Sequence, residues 1–276
     1  MTGALAHFGP RRRVYPSFFA KAFQRELAYK FEYFIGVFNG LLFMFIFTSL
    51  WEAVYAGPTA ATGGTAFTRE GIITYAVYAM LVRISMTQEE SGIPAKVRSG
   101  EIAMDMIKPV NYMLMTLAET GGGTLFHWVT RVAPIFAVAL FAFDAWPPSD
   151  PLNWLMLGVS WVFGYLIFFY LNFAFALLAF WFVETFSFQL MKFGLFTLFA
   201  GGIVPIDFFP DWLQPVIAFL PFPSIIYVPT ALFIGHIPAA EAGSLIGVQV
   251  AWTVGLGLLC RVMWGMGQRK LIVQGG

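Results

Sequence analysis

Charge is what this chain has least of. Only 11% of its 276 residues are Asp, Glu, Lys or Arg while 59% are hydrophobic, and a soluble domain carries about a quarter charged residues. With a mean hydropathy of +0.74, a water-soluble fold of this size is excluded, because so much apolar surface could not be hidden inside it. Cysteine is nearly absent too. Cys260 stands alone in an apolar run, which excludes an intrachain disulfide and argues against a thiolate metal site. No GxxxxGK[ST] loop, no HExxH pair and no Cys/His set with metal-ligand spacing occurs, so nothing in the sequence points to a catalytic or metal centre. The net charge of +1 gives no basic surface to hold nucleic acid.

What is abundant is long apolar runs, and they define an all-α integral membrane protein. Six segments read as transmembrane helices, at 34–55, 71–88, 112–143, 152–183, 185–206 and 242–264, each about as long as or longer than the roughly 20 residues that a bilayer crossing needs. The first, fourth and last are free of charge from Glu32 to Glu52, Asp150 to Glu184 and Glu241 to Arg261. The others carry Arg83, Glu119 with Arg131, and Lys192.

Orientation follows from basic residues in short flanking segments, which stay cytoplasmic during insertion. Arg11, Arg12, Arg13, Lys21, Arg25 and Lys30 precede the first span; Lys96, Arg98 and Lys108 lie between the second and third; Arg261, Arg269 and Lys270 follow the last. By contrast, the stretch 193–260 has no Lys or Arg. Both termini are therefore expected in the cytoplasm, with an even number of crossings. The N-terminal arginines precede no clear apolar core or cleavage site, so the segment is read as retained rather than as a signal peptide.

Three segments differ from ordinary spans. Residues 15–30 place Phe18, Phe19, Ala22, Phe23 and Leu27 at helical spacing opposite Lys21, Gln24 and Arg25; this reads as an interfacial helix on the inner leaflet, or else as an extension of the first span. In the cytoplasmic loop 91–110, Pro94 and Pro109 bracket a segment whose Val97, Ile102 and Met106 can share an apolar face, with Lys96, Arg98, Glu101 and Asp105 offered to water. That pattern fits a short docking helix and, equally, a solvated loop whose charges only fix topology. Residues 201–238 are apolar but hold Pro205, Pro210, Pro215, Pro221, Pro223 and Pro229, so two short re-entrant or interfacial outer helices fit better than one crossing.

Intramembrane charge is costly and marks function or a buried pair. Glu119, His127 and Arg131 recur on one face of the third segment; they line a polar substrate route or form a structural pair, and the residues alone favour the pair. The run Gly121, Gly122, Gly123 reads as close helix packing, not as a phosphate cradle.

The layout resembles the type-2 ATP-binding-cassette export permeases, in particular the permease-component group among them. Carrying the resemblance are Arg98-Ser-Gly-Glu-Ile102 and Ile107-Lys-Pro-Val110, then Gly201-Gly-Ile-Val-Pro205, Phe209-Pro-Asp-Trp-Leu213 and Leu220-Pro-Phe222, and finally the tail from Gln268 to Gly276. It implies an N-terminus with an elbow helix over 1–31 and a six-span domain over 32–264. Within that domain 91–110 would hold a coupling helix and 205–238 the outer re-entrant helices, with a cytoplasmic tail over 265–276. Val97, Arg98, Gly100, Glu101, Ile102 and Asp105 would dock the ATPase; Pro205, Asp207, Phe209, Pro210 and Pro221 would form the outer gate. Implied partners are two cytoplasmic ATPase subunits, a second permease, identical or related, and membrane lipid, with no nucleic acid. No cofactor is expected in this chain, since ATP and magnesium would sit on the ATPases. A bacterial cytoplasmic membrane is the implied location, and a hydrophobic or amphipathic cargo the implied substrate. The alternative is an ion-gradient-driven secondary transporter, which would show inverted repeats; no convincing repeat is seen. A lipid-acting membrane enzyme would need a nucleophile cluster in one loop, and none stands out.

Overall fold

The computed structural model describes residues 14–26, 30–57, 67–86 and 92–274. The expected basic cluster at 11–13, Leu27 of the expected interfacial helix, the end of the second expected span at 87–88 and the first residue, 91, of the expected cytoplasmic loop lie outside them. Every regular element among the described residues is helical, and no strand occurs there.

The order is α1 (Val14–Glu26), α2 (Lys30–Ala56), α3 (Arg69–Ser85), α4 (Ile93–Ser99), α5 (Ile102–Ile107), α6 (Tyr112–His127) and α7 (Ala133–Ala142). Then follow α8 (Pro151–Leu177), α9 (Phe186–Phe199), α10 (Gln214–Phe219), α11 (Tyr227–Phe233) and α12 (Ala239–Gln274). Local chemistry sets the helix starts. Thr68 Oγ1 accepts from the Gly71 N–H, Asn111 Oδ1 from the Leu114 N–H and Asp150 Oδ1 from the Leu152 N–H, each satisfying an otherwise orphaned donor. Pro151 opens α8, where its missing N–H costs nothing.

Helices α6 and α7 are one rod joined by a single π-turn, Trp128–Val132. Pro134 explains it: its ring cannot donate to, and would collide with, the Thr130 carbonyl one turn back. The chain widens instead, and the Ala133 N–H reaches the Trp128 carbonyl.

Four described helices are long and apolar enough to cross a membrane: Phe34–Ala56, Tyr112–Ala142, Pro151–Phe180 and Ala239–Lys270. The other two expected spans correspond to α3 and α9, of 17 and 14 residues, short of the roughly 20 that a crossing normally takes. α9 stops well before the expected residue 206 because Gly201 adopts a left-handed φ of +79°, a position suited to ending a helix. At the other extreme, α12 continues through the expected tail to Gln274.

Half of the most apolar window of α8 is buried, against 17% for α2; α8 is thus the central post and α2 a peripheral helix. α12 and α11 pack on α8, α2 on α3, and α1 on α6. The α1–α6 contact needs glycine: a Cβ on Gly122 would lie 2.2 Å from the Phe19 carbonyl oxygen. Phe23 then meets Phe126 edge-on at 5.6 Å, and the Asn111 N–H donates to the Tyr15 hydroxyl. The expectation of close packing at the glycine run is met at Gly122, while Gly123 faces open space.

Candidate functional site

At one end of the bundle α4 and α5 form a small helical hairpin. Gly92 and Gly100 both have positive φ, +63° and +79°, so a left-handed residue precedes α4 and another ends it. A Cβ at Gly100 would meet nothing within 4 Å; backbone conformation, not space, requires the glycine. Ile93 and Ile102 are fully buried in a cluster with Tyr112 and Met115 of α6, Phe173 and Leu177 of α8, and Cys260 of α12. The hairpin is therefore anchored to three long helices.

Its polar centre is Asp105, which accepts from Lys96 Nζ at 2.7 Å and Lys108 Nζ at 2.6 Å. Expected to face water, Asp105 is instead 8% exposed. Burial alone would raise its pKa, but the hydrogen bonds from Lys108 and Lys96 outweigh that and hold it below the usual carboxylate range. Val97 is half-buried and Ile102 buried, whereas Arg98, Gly100 and Glu101 are exposed. Two residues absent from the sequence-based set point outward: Met104 is 69% and Ile107 77% exposed. The break at Gly100 resets the helical phase, yet Val97, Ile102 and Met106 all pack on the same buried cluster, so the expected apolar face is turned inward onto the bundle.

Glu119, His127 and Arg131 do not form one cluster. Glu119 is half-exposed two turns before His127, and no ion pair joins it to either residue. His127 precedes the π-turn and Arg131 lies within it. His127 is 5% exposed with Nδ1 unpartnered, and Arg131 Nε is likewise buried without a hydrogen bond. The Arg131 side chain lies on α2 at Gly36, where a Cβ would stand 2.6 Å from Nε. Two polar groups at membrane depth without internal satisfaction are costly.

Opposite the hairpin, the chain from Gly201 to Pro238 folds into a compact pad. Asp207 accepts from the Tyr227 hydroxyl at 2.9 Å and meets His236 Nε2 at 3.2 Å. Burial pushes the Asp207 pKa up, but the bonds from His236 and Tyr227 outweigh it and keep the carboxyl below its ordinary value. The His236 ring stacks on Phe67 at 3.9 Å. Among the other expected gate residues, Pro205 and Pro221 are buried, Phe209 is half-buried and Pro210 exposed.

This pad reaches deep along α8. Near its rim Asn153 Nδ2 donates to the Phe233 carbonyl. Farther in, Gly164 sits where a Cβ would be 2.9 Å from the Ser224 carbonyl oxygen. Irregular backbone at that depth needs donors, and Gln249 of α12 supplies one: its Nε2 donates to Ser224 O at 2.7 Å, and to Ser160 O and Oγ at 3.1 and 2.9 Å. Sequence reasoning passed over Gln249. Its signal was a lone amide in the otherwise apolar run between Glu241 and Arg261.

A bundle of long apolar helices, with a hairpin anchored at one end and a folded pad at the other, defines a multi-pass membrane protein. The chain belongs to the ABC-2 family of transporter proteins, whose family model matches residues 41–275. Membership makes it a multi-pass membrane protein of the ATP-binding-cassette class, a class whose membrane components associate with ATP-binding-cassette ATPases. No curated protein matches the chain.

Proposed function

We propose that this chain is the permease subunit of an ATP-driven exporter. It moves a hydrophobic or amphipathic substrate out of the cytoplasm or inner leaflet of a bacterial cytoplasmic membrane. On this reading α3 and α9 complete six crossings, with α1 as an elbow helix on the inner leaflet and α10 and α11 as re-entrant outer helices. The basic residues around the hairpin and after the last span support cytoplasmic termini. Two such permeases, identical or related, stand on two ATPases that hold ATP and magnesium.

One observation carries the reading: the hairpin is locked to α6, α8 and α12 by Ile93 and Ile102 while Arg98, Glu101, Met104 and Ile107 stay exposed. A rigidly rooted knob with an outward polar-apolar face can pass an ATPase's movement to three long helices. Nucleotide then biases two arrangements of the bundle through differential contacts. Val97, Gly100 and Asp105 shape the knob rather than touch the ATPase. His127 and Arg131 at the π-turn are the polar points of the route, with Glu119 nearer the hairpin. Asp207, held by Tyr227 and His236 beside Pro205, Phe209, Pro210 and Pro221, closes the outer end.

The test is co-purification of the native complex from membranes. Replacing Arg98 and Glu101 together, or Met104 and Ile107 by Lys, should release the ATPase or uncouple hydrolysis from transport. Nucleotide hydrolysis or solute movement by the purified chain alone would overturn the reading. Topology is checked with Pro210→Cys, because Cys260 is fully buried and leaves a silent background; labelling only after permeabilisation refutes the assignment.

A further inference from the structure

The second and third long helices, Tyr112–Ala142 and Pro151–Phe180, leave a cleft of about 420 Å³ between them. Trp128, Val132 and Phe136 form one wall, Trp154, Gly158 and Trp161 the other, and α3 with Phe233 closes the back. It opens sideways rather than along the bundle: Trp128 and Trp154 at its mouth are 39% and 45% exposed. Both walls belong to helices of membrane-crossing length, so the mouth faces hydrocarbon.

Apart from Trp128 Nε1 at the mouth, the polar groups around it are already engaged. The Tyr78 hydroxyl donates to the Ala145 carbonyl, Ser85 Oγ to the Val82 carbonyl, Trp161 Nε1 to Ser85 Oγ and Trp154 Nε1 to the Pro148 carbonyl. A guest is therefore offered ring faces and methyl groups. Nothing in the back wall asks for a charge or a hydrogen bond. Left empty, the lining would forfeit dispersion contacts on one side, and the volume falls within the roughly 300–1,000 Å³ typical of ligand pockets.

We propose that this cleft binds the acyl chain of a membrane lipid taken sideways from the leaflet opposite the hairpin. A single hydrocarbon chain is thin enough to thread between Trp128 and Trp154. With equally apolar lipid tails outside, selection comes from packing against the indoles rather than from the hydrophobic effect. This deepens the export reading by naming lipid as the class of guest. It requires only that the chain lies in a bilayer, so it is tested without the ATPases and can fail independently of them.

Gly158 provides the test, because a Cβ there would meet nothing within 4 Å and Gly158→Phe fills the cleft without pressing on the fold. The full chain is reconstituted in nanodiscs containing a phospholipid with a diazirine midway along one acyl chain. After irradiation the labelled peptides are mapped. Labelling is expected to concentrate on the inner walls around Leu157, Trp161 and Trp128 relative to Phe38 on the outer face of α2, and to be lost from those walls in G158F. Labelling no denser there than at Phe38, or unchanged by G158F, overturns the proposal. If G158F does not reach the membrane, the ratio of wall to Phe38 labelling in the unmodified protein decides alone.

Discussion

Gln249→Met removes an amide and keeps its length. The amide cannot be turned over, since its Nε2 faces two carbonyl oxygens and a hydroxyl and an oxygen there would repel both carbonyls. Ser160 O lies inside α8 and keeps its ladder bond, and Ser160 Oγ can rotate toward the helix backbone. Ser224 O has no such recourse, because it stands on irregular backbone between Phe222 and Tyr227 with Gln249 as its one described donor. An orphaned buried acceptor costs about 1–3 kcal/mol, whereas side-chain hydrogen bonds within membranes average about 0.6 and reach about 1.7. The second range applies to groups that find new partners; Ser224 is 3% exposed and Gln249 fully buried, so the loss belongs near the overlap, about 1–2 kcal/mol. At about 2–4 °C per kcal/mol, the midpoint in detergent should fall by about 2–8 °C. Thr253→Val is the control: Thr253 Oγ1 bonds only back to the Gln249 carbonyl, and its loss should move the midpoint by less than about 2 °C. Followed by circular dichroism at 222 nm, equal midpoints for the two variants would refute the view that Gln249 secures the outer pad.

Other perturbations separate the remaining contacts. Gly122→Leu should push α1 off α6, because even a Cβ collides with the Phe19 carbonyl; faster hydrogen exchange over Val14–Glu26 reads it, and unchanged exchange counts against the packing. Gly201→Ala combines a φ of +79° with a Cβ 2.7 Å from that of Tyr227, so a loss of at least about 1 kcal/mol is expected, against little change for Gly194→Ala, where the space is open. Asp105 sets a pH dependence. Its folded pKa is lowered, so its contribution to the hairpin is complete above the unfolded value of about 3.9 and fades as pH falls through the folded value. Exchange protection of 93–107 should therefore drop on acidification in the unmodified protein; a drop of the same size in Asp105→Asn would show that another group is responsible.

Much of this architecture was legible in the chain. The charge-free runs around 152–177 and 242–260 became α8 and α12, because length and apolarity alone determine a crossing. The proline-rich stretch 201–238 broke into short pieces, and the brackets Pro94 and Pro109 enclosed a small helical unit. Elsewhere the missing information was three-dimensional. Periodicity placed Asp105 with the solvated charges because its partners, Lys96 and Lys108, meet it only after the turn at Gly100. The same turn hid the exposure of Met104 and Ile107. Gln249 escaped notice because a single amide barely alters mean hydropathy, although its role depends on Ser224, a residue in another element. Arg131 was read from the sequence as an intramembrane charge, but its resting place on Gly36 depends on how α2 leans against the widened turn.

That widened turn has a consequence for how this polypeptide tolerates insertion and deletion. A π-turn is equivalent to one extra residue slipped into an α-helix, and each helical residue advances the azimuth by about 100°. Beyond Val132, then, Ile135 and Ala139 face the interior in a phase offset from that of Met115, Gly122 and Phe126. Excising one position between Trp128 and Val132 would let the Ala133 N–H bond the same Trp128 carbonyl as an ordinary α-turn, so every later side chain would keep its face. Ile135 would keep its socket at Gly40, and only Pro134 would be left without the slack that now accommodates its ring.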